Sequence, residues 1–440
     1  MRHPSGDSSG RNGRPRVLIL GGGFAGVGAA KKLEQVDADV VLVDKHDYHT
    51  FQPLLYQLAT GLLETTAVGH SLRDLFHGQD NATIHKATVT AVDLSARVVR
   101  FEEMAPLTYD YLVLGLGAEV DFFGAQGAVE HALPMYTLPD AMRLKNHVLG
   151  KWEQADRDPA LVDDGALNVV VVGGGPTGVE SAGALAELYR AQFAGDYPEL
   201  PQDKARIILV EAGPEIFPMF KDDIRAYTAK ALKKRTVEVM VGEAVEAISP
   251  TRVTLRSGTV LEAHTLVWGA GLQGHPLVRS LGLELERGNR IRVGPELTVP
   301  GRPEVYAVGD IAAIMDQKTN QVLPQLGSVA LQSGEHVGET IARRVSGKET
   351  RPFGYHDKGT MATIGRGAAV VQMLGGRTMK GKAAQLAWGT VHLALLPTNE
   401  DRAKAVVDWA GALLTHQRSG RITVETDQER QEERVPETRG

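Results

Sequence analysis

The sequence contains no cysteine, and that absence removes disulfides, iron–sulfur ligation, zinc–thiolate sites and every dithiol relay in one step. Any redox chemistry the chain performs must be non-thiol. An excess of positive charge is also missing: 48 Lys and Arg stand against 54 Asp and Glu, for a formal net charge of −6. A phosphate-binding surface for nucleic acid normally shows as a basic excess or stripe, so no nucleic-acid partner is expected. Residues 1–14 are rich in Ser, Gly and Arg and lack the apolar stretch of a signal peptide, so they read as a disordered leader. His46, His49, His131 and His392 share no metal-ligand spacing. They read as surface or loop histidines, and no metal is assigned.

What the chain does have is length and an internal repeat. With 440 residues, 42% of them hydrophobic, it can bury a sizeable core and divide into two or three domains. RVLILGGGFAGVGAAKKL, from Arg16, aligns without gaps on NVVVVGGGPTGVESAGAL, from Asn168. Each copy is an apolar run of the length of a buried parallel strand, then a glycine turn, then small residues at helical spacing. The expected fold is therefore α/β, with two Rossmann-like dinucleotide-binding domains, the second inserted into the first, and a C-terminal α+β region. The first domain is expected over 15–120 and 273–350, the inserted one over 121–272, and the C-terminal region over 351–418. Residues 419–440 are charged and apolar-poor and read as a disordered tail.

The first loop, Gly21-x-Gly23-x-x-Gly26, follows the run VLIL and precedes Ala29, Ala30 and Leu33 at helical spacing, with Asp44 at the end of the next strand. Glycines there permit a tight turn and close approach of the backbone to a pyrophosphate. The helix N-terminus supplies free N–H groups, and the aspartate can accept from a ribose hydroxyl. The second loop, Gly173-x-Gly175-x-x-Gly178, is as complete, and its next strand, IILVE, ends in Glu211. An acidic residue at that place pairs with a ribose 2′-hydroxyl and repels a 2′-phosphate, which favours NADH over NADPH. Two such sites suit two nicotinamides, or one flavin and one nicotinamide.

The segment VYAVGD, ending in Asp310, resembles the FAD-closing motif of flavoproteins with two dinucleotide-binding domains. More specifically, GGGFAGVGAAKKL, FQPLLYQLATG, GGGPTGVE, VWGAG, VYAVGD and DKGTMATIG, in that order, resemble the type II NADH:quinone oxidoreductase family over roughly residues 16–422. The resemblance implies FAD in the first domain and NADH in the second, with hydride passing from NADH to the flavin and two electrons passing on to a membrane quinone without proton pumping. It implies an FAD set of Gly21, Gly23, Phe24, Ala25, Gly26, Asp44, Lys45, Val89, Gly117, Asp310 and Val329. The corresponding NADH set is Gly173, Gly175, Thr177, Gly178, Glu180, Glu211 and Gly271. Glu180 matches the family's glutamate near the nicotinamide and the quinone end of the flavin, a candidate proton or hydrogen-bond partner for the acceptor.

On the quinone side the family's helix usually begins Ala-Gln-x-x-x-Gln. This chain has Gly327-Ser328-x-x-x-Gln332, keeping the second glutamine and replacing the first by Ser328. The candidate catalytic residues are thus Glu180, Ser328 and Gln332. The apolar segments 383–396 and 403–414 are too short to span a bilayer, which takes about 20 residues. With Trp388 and Trp409 and flanking lysines and arginines, they suit a monotopic helix pair on the cytoplasmic side of the cell membrane. The same helices would also serve a homodimer contact. Two other functions remain open: a soluble NADH-dependent flavoprotein reducing a redox protein or small metabolite, and a non-enzymatic redox sensor that binds NADH and FAD.

Overall fold

The computed structural model describes residues 13–415 and Gly420, so most of the leader expected over 1–14 and of the tail expected over 419–440 lies outside the described residues. In chain order the main elements begin with β1 (Arg16–Leu20), α1 (Phe24–Lys32), β2 (Asp39–Asp44), α2 (Leu55–Ala59), β3 (Ala82–Lys86) and β4 (Tyr111–Leu114). There follow β5 (Leu133–Pro134), β6 (Val169–Val172), α3 (Pro176–Leu188), β7 (Ile207–Glu211), β8 (Val237–Val241) and β9 (Thr265–Trp268). The chain continues with β10 (Arg302–Ala307), α4 (Gly327–Val345), β11 (Thr360–Gly365), β12 (Ala368–Gln372), β13 (Thr378–Lys380), α5 (Lys382–Leu395) and α6 (Asn399–Thr415).

The chain forms two compact units, one of residues 1–51, 69–121 and 272–357, the other of residues 52–68, 122–271 and 358–440. In the first, a sheet of order β3-β2-β1-β4-β10 is parallel throughout, and the short strand Thr298–Val299 adds antiparallel to β10 at its edge. Strands of a parallel sheet are covered on both faces and need apolar residues at every position. Val17 to Leu20 and Val40 to Val43 meet that need and are buried.

In the second unit, a sheet of order β5-β9-β6-β7-β8 is again wholly parallel. A three-stranded antiparallel sheet, β11-β12-β13, follows in the same unit, and the two apolar segments near the C-terminus form α5 and α6.

Candidate functional site

In the first unit, nearly all the residues expected to hold FAD lie just past the C-terminal ends of parallel strands of one sheet. Gly21 to Gly26 follow β1, Asp44 and Lys45 lie at the end of β2, Val89 follows β3, Gly117 follows β4 and Asp310 follows β10. Val329 lies in the first turn of α4. That edge of an open α/β sheet is where ligands bind.

Gly21 has φ +109°, which a side chain would strain, and a Cβ on Gly26 would overlap the Gly21 carbonyl oxygen. By contrast, nothing lies within 4 Å of where a Cβ on Gly23 would sit. The first turn of α1 has no side-chain cap and no acidic residue. This is a backbone cradle open to an anion, as the pyrophosphate of a dinucleotide requires. Asp44 is held ready: its Oδ2 accepts from the Gly22 amide at 2.6 Å and its Oδ1 from the His46 amide at 2.7 Å. These residues fit FAD.

Several supporting residues were not legible in the sequence. His49, read there as a surface or loop histidine, is buried with its ring edge-on to Phe24, which in turn meets Phe51. Its Nδ1 lies 3.0 Å from the Gly22 carbonyl oxygen, so that nitrogen carries the proton and donates. Burial pushes its pKa down to about 4, which keeps the ring neutral. Gln325 donates to the Asp310 carbonyl at 3.0 Å, and the Gly309 amide donates to Ser333 Oγ at 3.0 Å. Arg290, buried and not singled out in the sequence, donates to the carbonyls of Ala312 and Leu323 and places its charge toward Asp310. Together these contacts fix the turn that carries Asp310.

The second unit repeats the arrangement. Gly173 has φ +111°, a Cβ on Gly178 would overlap the Gly173 carbonyl oxygen, and Gly175 again faces open space. Thr177 lies in the first turn of α3, which starts at Pro176 and has no side-chain cap. Pro suits the first helical position because its missing N–H would have no helical partner there. Glu211 ends β7, its Oε2 accepting from the Gly174 amide at 2.5 Å and its Oε1 from the Gly213 amide at 2.5 Å. Gly271, with φ +67°, lies just past β9. The middle glycines of both GGG runs, Gly22 and Gly174, thus donate to the acidic residue of the next strand. The run itself was the signal, beyond the three spaced glycines. An uncapped helix start beside a fixed, doubly held carboxylate fits NADH.

Glu180 lies on α3 and is 9% exposed. Its Oε1 accepts from the Thr363 amide of β11 at 3.0 Å. Desolvation outweighs that bond and pushes its pKa up to about 8, so the side chain is a neutral acid at pH 7. Further along the same helical face, a Cβ on Gly183 would overlap the Ile364 carbonyl oxygen, and Glu187 accepts from Arg235 Nε at 3.0 Å and from the Arg366 amide. Residues 180, 183 and 187 therefore dock β11 along one stripe of α3. Tyr56, buried on α2, reaches Thr363 Oγ1 at 2.8 Å. The quoted segments FQPLLYQLATG and DKGTMATIG contain Tyr56 and Thr363, but no spacing in the sequence shows that they meet.

Ser328 and Gln332 come together one turn apart on α4 in the first unit, whereas Glu180 belongs to the second. Ser328 shares a hydrogen bond of 2.9 Å with the Tyr355 hydroxyl. The Gln332 amide is committed at both ends: Nε2 donates to the His356 carbonyl and Oε1 accepts from the His356 amide, each at 3.0 Å.

In the C-terminal helices the expectation for Trp388 is corrected. Trp388, expected at a membrane interface, is 4% exposed and stacks on His392 at 4.1 Å, which buries that histidine as well. Trp409 donates to Gln57 Oε1 at 2.8 Å. Of the flanking cations, Lys380 pairs with Asp223, Lys404 with Glu400, and Arg402 holds the Leu396 carbonyl. The large apolar side chains left outward on α5 and α6, among the described residues, are Leu386, Val391, Leu395, Val406 and Val407. Among the described residues, no helix is long and apolar enough to cross a membrane.

Residues 15–334 match the pyridine nucleotide-disulphide oxidoreductase family, whose name refers to a disulfide that a chain without cysteine cannot form. The chain is 35% identical over 432 residues to the type II NADH:quinone oxidoreductase Ndh of Mycobacterium tuberculosis, covering 94% of this chain and 91% of that one. To the type II NADH:quinone oxidoreductase of Staphylococcus haemolyticus it is 30% identical, covering 84% and 92% of the two chains. Among solved structures, NDH2 from Plasmodium falciparum in complex with NADH superposes with a TM-score of 0.84 at 19% identity, over 94% of this chain and 100% of that one. This last likeness is one of fold.

Proposed function

The chain belongs to the type II NADH:quinone oxidoreductase family, and from that membership we propose that it oxidises NADH with FAD and passes two electrons to a quinone without pumping protons. Bound FAD supplies the chemistry that joins a hydride donor to a two-electron acceptor. The chain's own residues bind, orient and discriminate. Gly21 to Gly26, Asp44 and Asp310 hold the flavin nucleotide, while Gly173 to Gly178 hold the nicotinamide nucleotide. Glu211 selects NADH, because a 2′-phosphate would have to sit beside a carboxylate whose two oxygens are already fixed by backbone amides.

The single observation that carries the reading is the presence of two complete anion cradles, each with an open central glycine and a doubly held acidic residue. The test is a visible spectrum of the purified protein followed by anaerobic titration with NADH, then turnover with a soluble quinone analogue. A flavin spectrum bleached by one equivalent of NADH is expected, with quinone reduction much faster than oxygen reduction. No bleaching, or equal rates with quinone and oxygen, would overturn the reading.

Glu180 serves the acceptor as a hydrogen-bond or proton partner. Its burial and raised pKa support this, since a neutral acid at working pH is what a proton donor must be. Ser328 and Gln332 act on the acceptor side by holding Tyr355 and His356, given that both ends of the Gln332 amide are taken. The protein is peripheral to the cytoplasmic face of the membrane, seated through the apolar side chains of α5 and α6. Leu386 at 75% exposure and Val407 at 68% support this seat better than Lys380 and Lys404 do, since both lysines are ion-paired within the protein. Co-flotation with liposomes that is lost in a Leu386→Ser/Val407→Ser variant is expected. Dimerisation through the same residues with no flotation would replace the lipid reading with a homodimer.

A further inference from the structure

Four hydrogen bonds lead from α6 to Glu180. Trp409 Nε1 donates to Gln57 Oε1 at 2.8 Å, Gln57 Nε2 donates to Tyr56 Oη at 2.9 Å, Tyr56 Oη and Thr363 Oγ1 share a bond of 2.8 Å, and the Thr363 amide donates to Glu180 at 3.0 Å. All five residues belong to the second unit, and Tyr56, Gln57, Thr363 and Glu180 are buried.

The direction of the three side-chain bonds in this series is set by their outer end, whereas the Thr363 backbone amide donates to Glu180 in any case. An indole N–H can only donate, so it must meet the carbonyl oxygen of Gln57 and turns the amide nitrogen toward Tyr56. Tyr56 Oη accepts that N–H. Its own proton then needs an acceptor, which Thr363 Oγ1 supplies. Successive donors therefore point from α6 toward Thr363, and the aligned bonds polarise one another in a low-dielectric interior. Tyr56 itself is held neutral, because burial and the nearby Glu180 both raise its pKa.

We propose that Trp409 is a positioning residue for the acceptor half-reaction, which acts through Gln57 and Tyr56 to set the direction of the amide and hydroxyl dipoles that face Thr363 beside the Glu180 carboxyl. The proposal rests on the reading of Glu180 given above. The surroundings of the carboxyl contain little else that could set its state. Tyr56 faces it from α2, and β11 (TMATIG) offers Thr363 and no ionisable side chain. β6 (VVVV) offers none either. Glu187, seven residues along α3, is paired with Arg235, and the acidic residues of β7 and β8 are occupied, Glu211 by backbone amides and Glu238 by Arg206.

Replacing Trp409 by Phe keeps an aromatic ring but removes the donor. Gln57 can then turn its carbonyl oxygen to Tyr56, which reverses the series and presents the negative ends of its dipoles toward Thr363. The ionised form of Glu180 loses support, and its titration moves to higher pH.

The test uses the FAD-loaded full chain. The carboxylic C=O stretch of Glu180, identified by its disappearance in Glu180→Gln, is titrated by infrared difference spectroscopy in wild type, Trp409→Phe and Trp409→His. The expected result is a midpoint raised by about half a pH unit in Trp409→Phe and restored in Trp409→His, whose ring keeps an N–H. The pH profile of reduced-enzyme reoxidation by a soluble quinone should move with it, while flavin reduction by NADH stays unchanged. An unmoved Glu180 titration in Trp409→Phe overturns the proposed series. A titration that moves while the reoxidation profile does not would leave the series standing and remove Glu180 from the acceptor reaction. If Trp409→Phe does not fold, Gln57→Leu breaks the same series at the next residue and is read in the same way.

Discussion

The two glycine loops share their three spaced glycines, and the difference between them that matters for the acceptor lies two residues past the last glycine. In the gapless repeat, Gly28 of α1 stands where α3 carries Glu180. At Gly28 there is no side chain, and a Cβ would already lie 3.0 Å from the Leu331 carbonyl oxygen of α4. At Glu180 the helix accepts β11 instead, and a carboxyl is buried against the Thr363 amide. The phosphate-facing ends of the two helices are thus interchangeable in design, and the difference lies on the sides turned away from the loops. One helix is built to be covered closely by another. Its counterpart keeps a proton in an apolar setting.

The strongest way to break the comparison is to fill the glycine that both loops need. Gly26→Ala and Gly178→Ala each drive a Cβ into a carbonyl oxygen, a clash costing roughly 3 kcal/mol or more. The first should yield protein without the flavin spectrum. The second should keep flavin while the KM for NADH rises by about 100-fold, read by steady-state kinetics. Equal loss of flavin in both variants would mean that the two cradles are not assigned as argued.

Glu180→Gln tests what is specific to the second copy. It should slow reoxidation by quinone by about 100-fold, the lower range for loss of a positioned acid, and leave flavin reduction by NADH within a few-fold in stopped-flow traces. Equal slowing of both half-reactions would move Glu180 from the acceptor to the nicotinamide.

The same residue makes stability depend on pH. Its pKa is raised from 4.5 to about 8 in the folded chain, so the folded state binds a proton that the unfolded state releases. Stability is therefore lost as pH rises from about 4.5 and levels off above about 8. Glu180→Gln should melt close to wild type at pH 5 and above it at pH 8.5, by an amount on the order of 4 kcal/mol. Parallel melting curves across that range would show that the carboxyl is not desolvated. A smaller effect is expected at Glu211→Gln, which should reduce the preference for NADH over NADPH by about 10-fold in kcat/KM. Asp44→Asn should leave that ratio untouched.

How much of this was legible in the sequence follows from the range of the interactions. The strand, loop and helix of each copy, with Asp44 and Glu211 at the next strand end, are encoded within about 40 consecutive residues and could be read directly. The raised pKa of Glu180 could not, because the residues that bury it, Tyr56 and Thr363, lie more than a hundred residues away on either side. The burial of Trp388 and His49 was misread for a related reason. An aromatic ring on an apolar helix looks the same whether it faces lipid or a histidine four residues on, and His49 is buried by Phe24, which stands in a different element. The Gln332 amide was identified as a glutamine at a meaningful place, but its partner is backbone, which carries no signature in sequence.

The interrupted first sheet has a consequence for the order in which the protein comes into being. Leu112 of β4 pairs with Val305 of β10, and the whole of the second sheet is encoded between them, from Leu133 to Trp268. A chain emerging from the ribosome therefore completes its second parallel sheet while the first still waits for its closing strand. Joining strands so far apart adds only slowly to the entropic cost but delays the event, since loop closure must precede the contacts that reward it. A nascent chain arrested soon after Trp268 should already protect β6 and β7 from hydrogen exchange, with β4 open along the edge that β10 later covers.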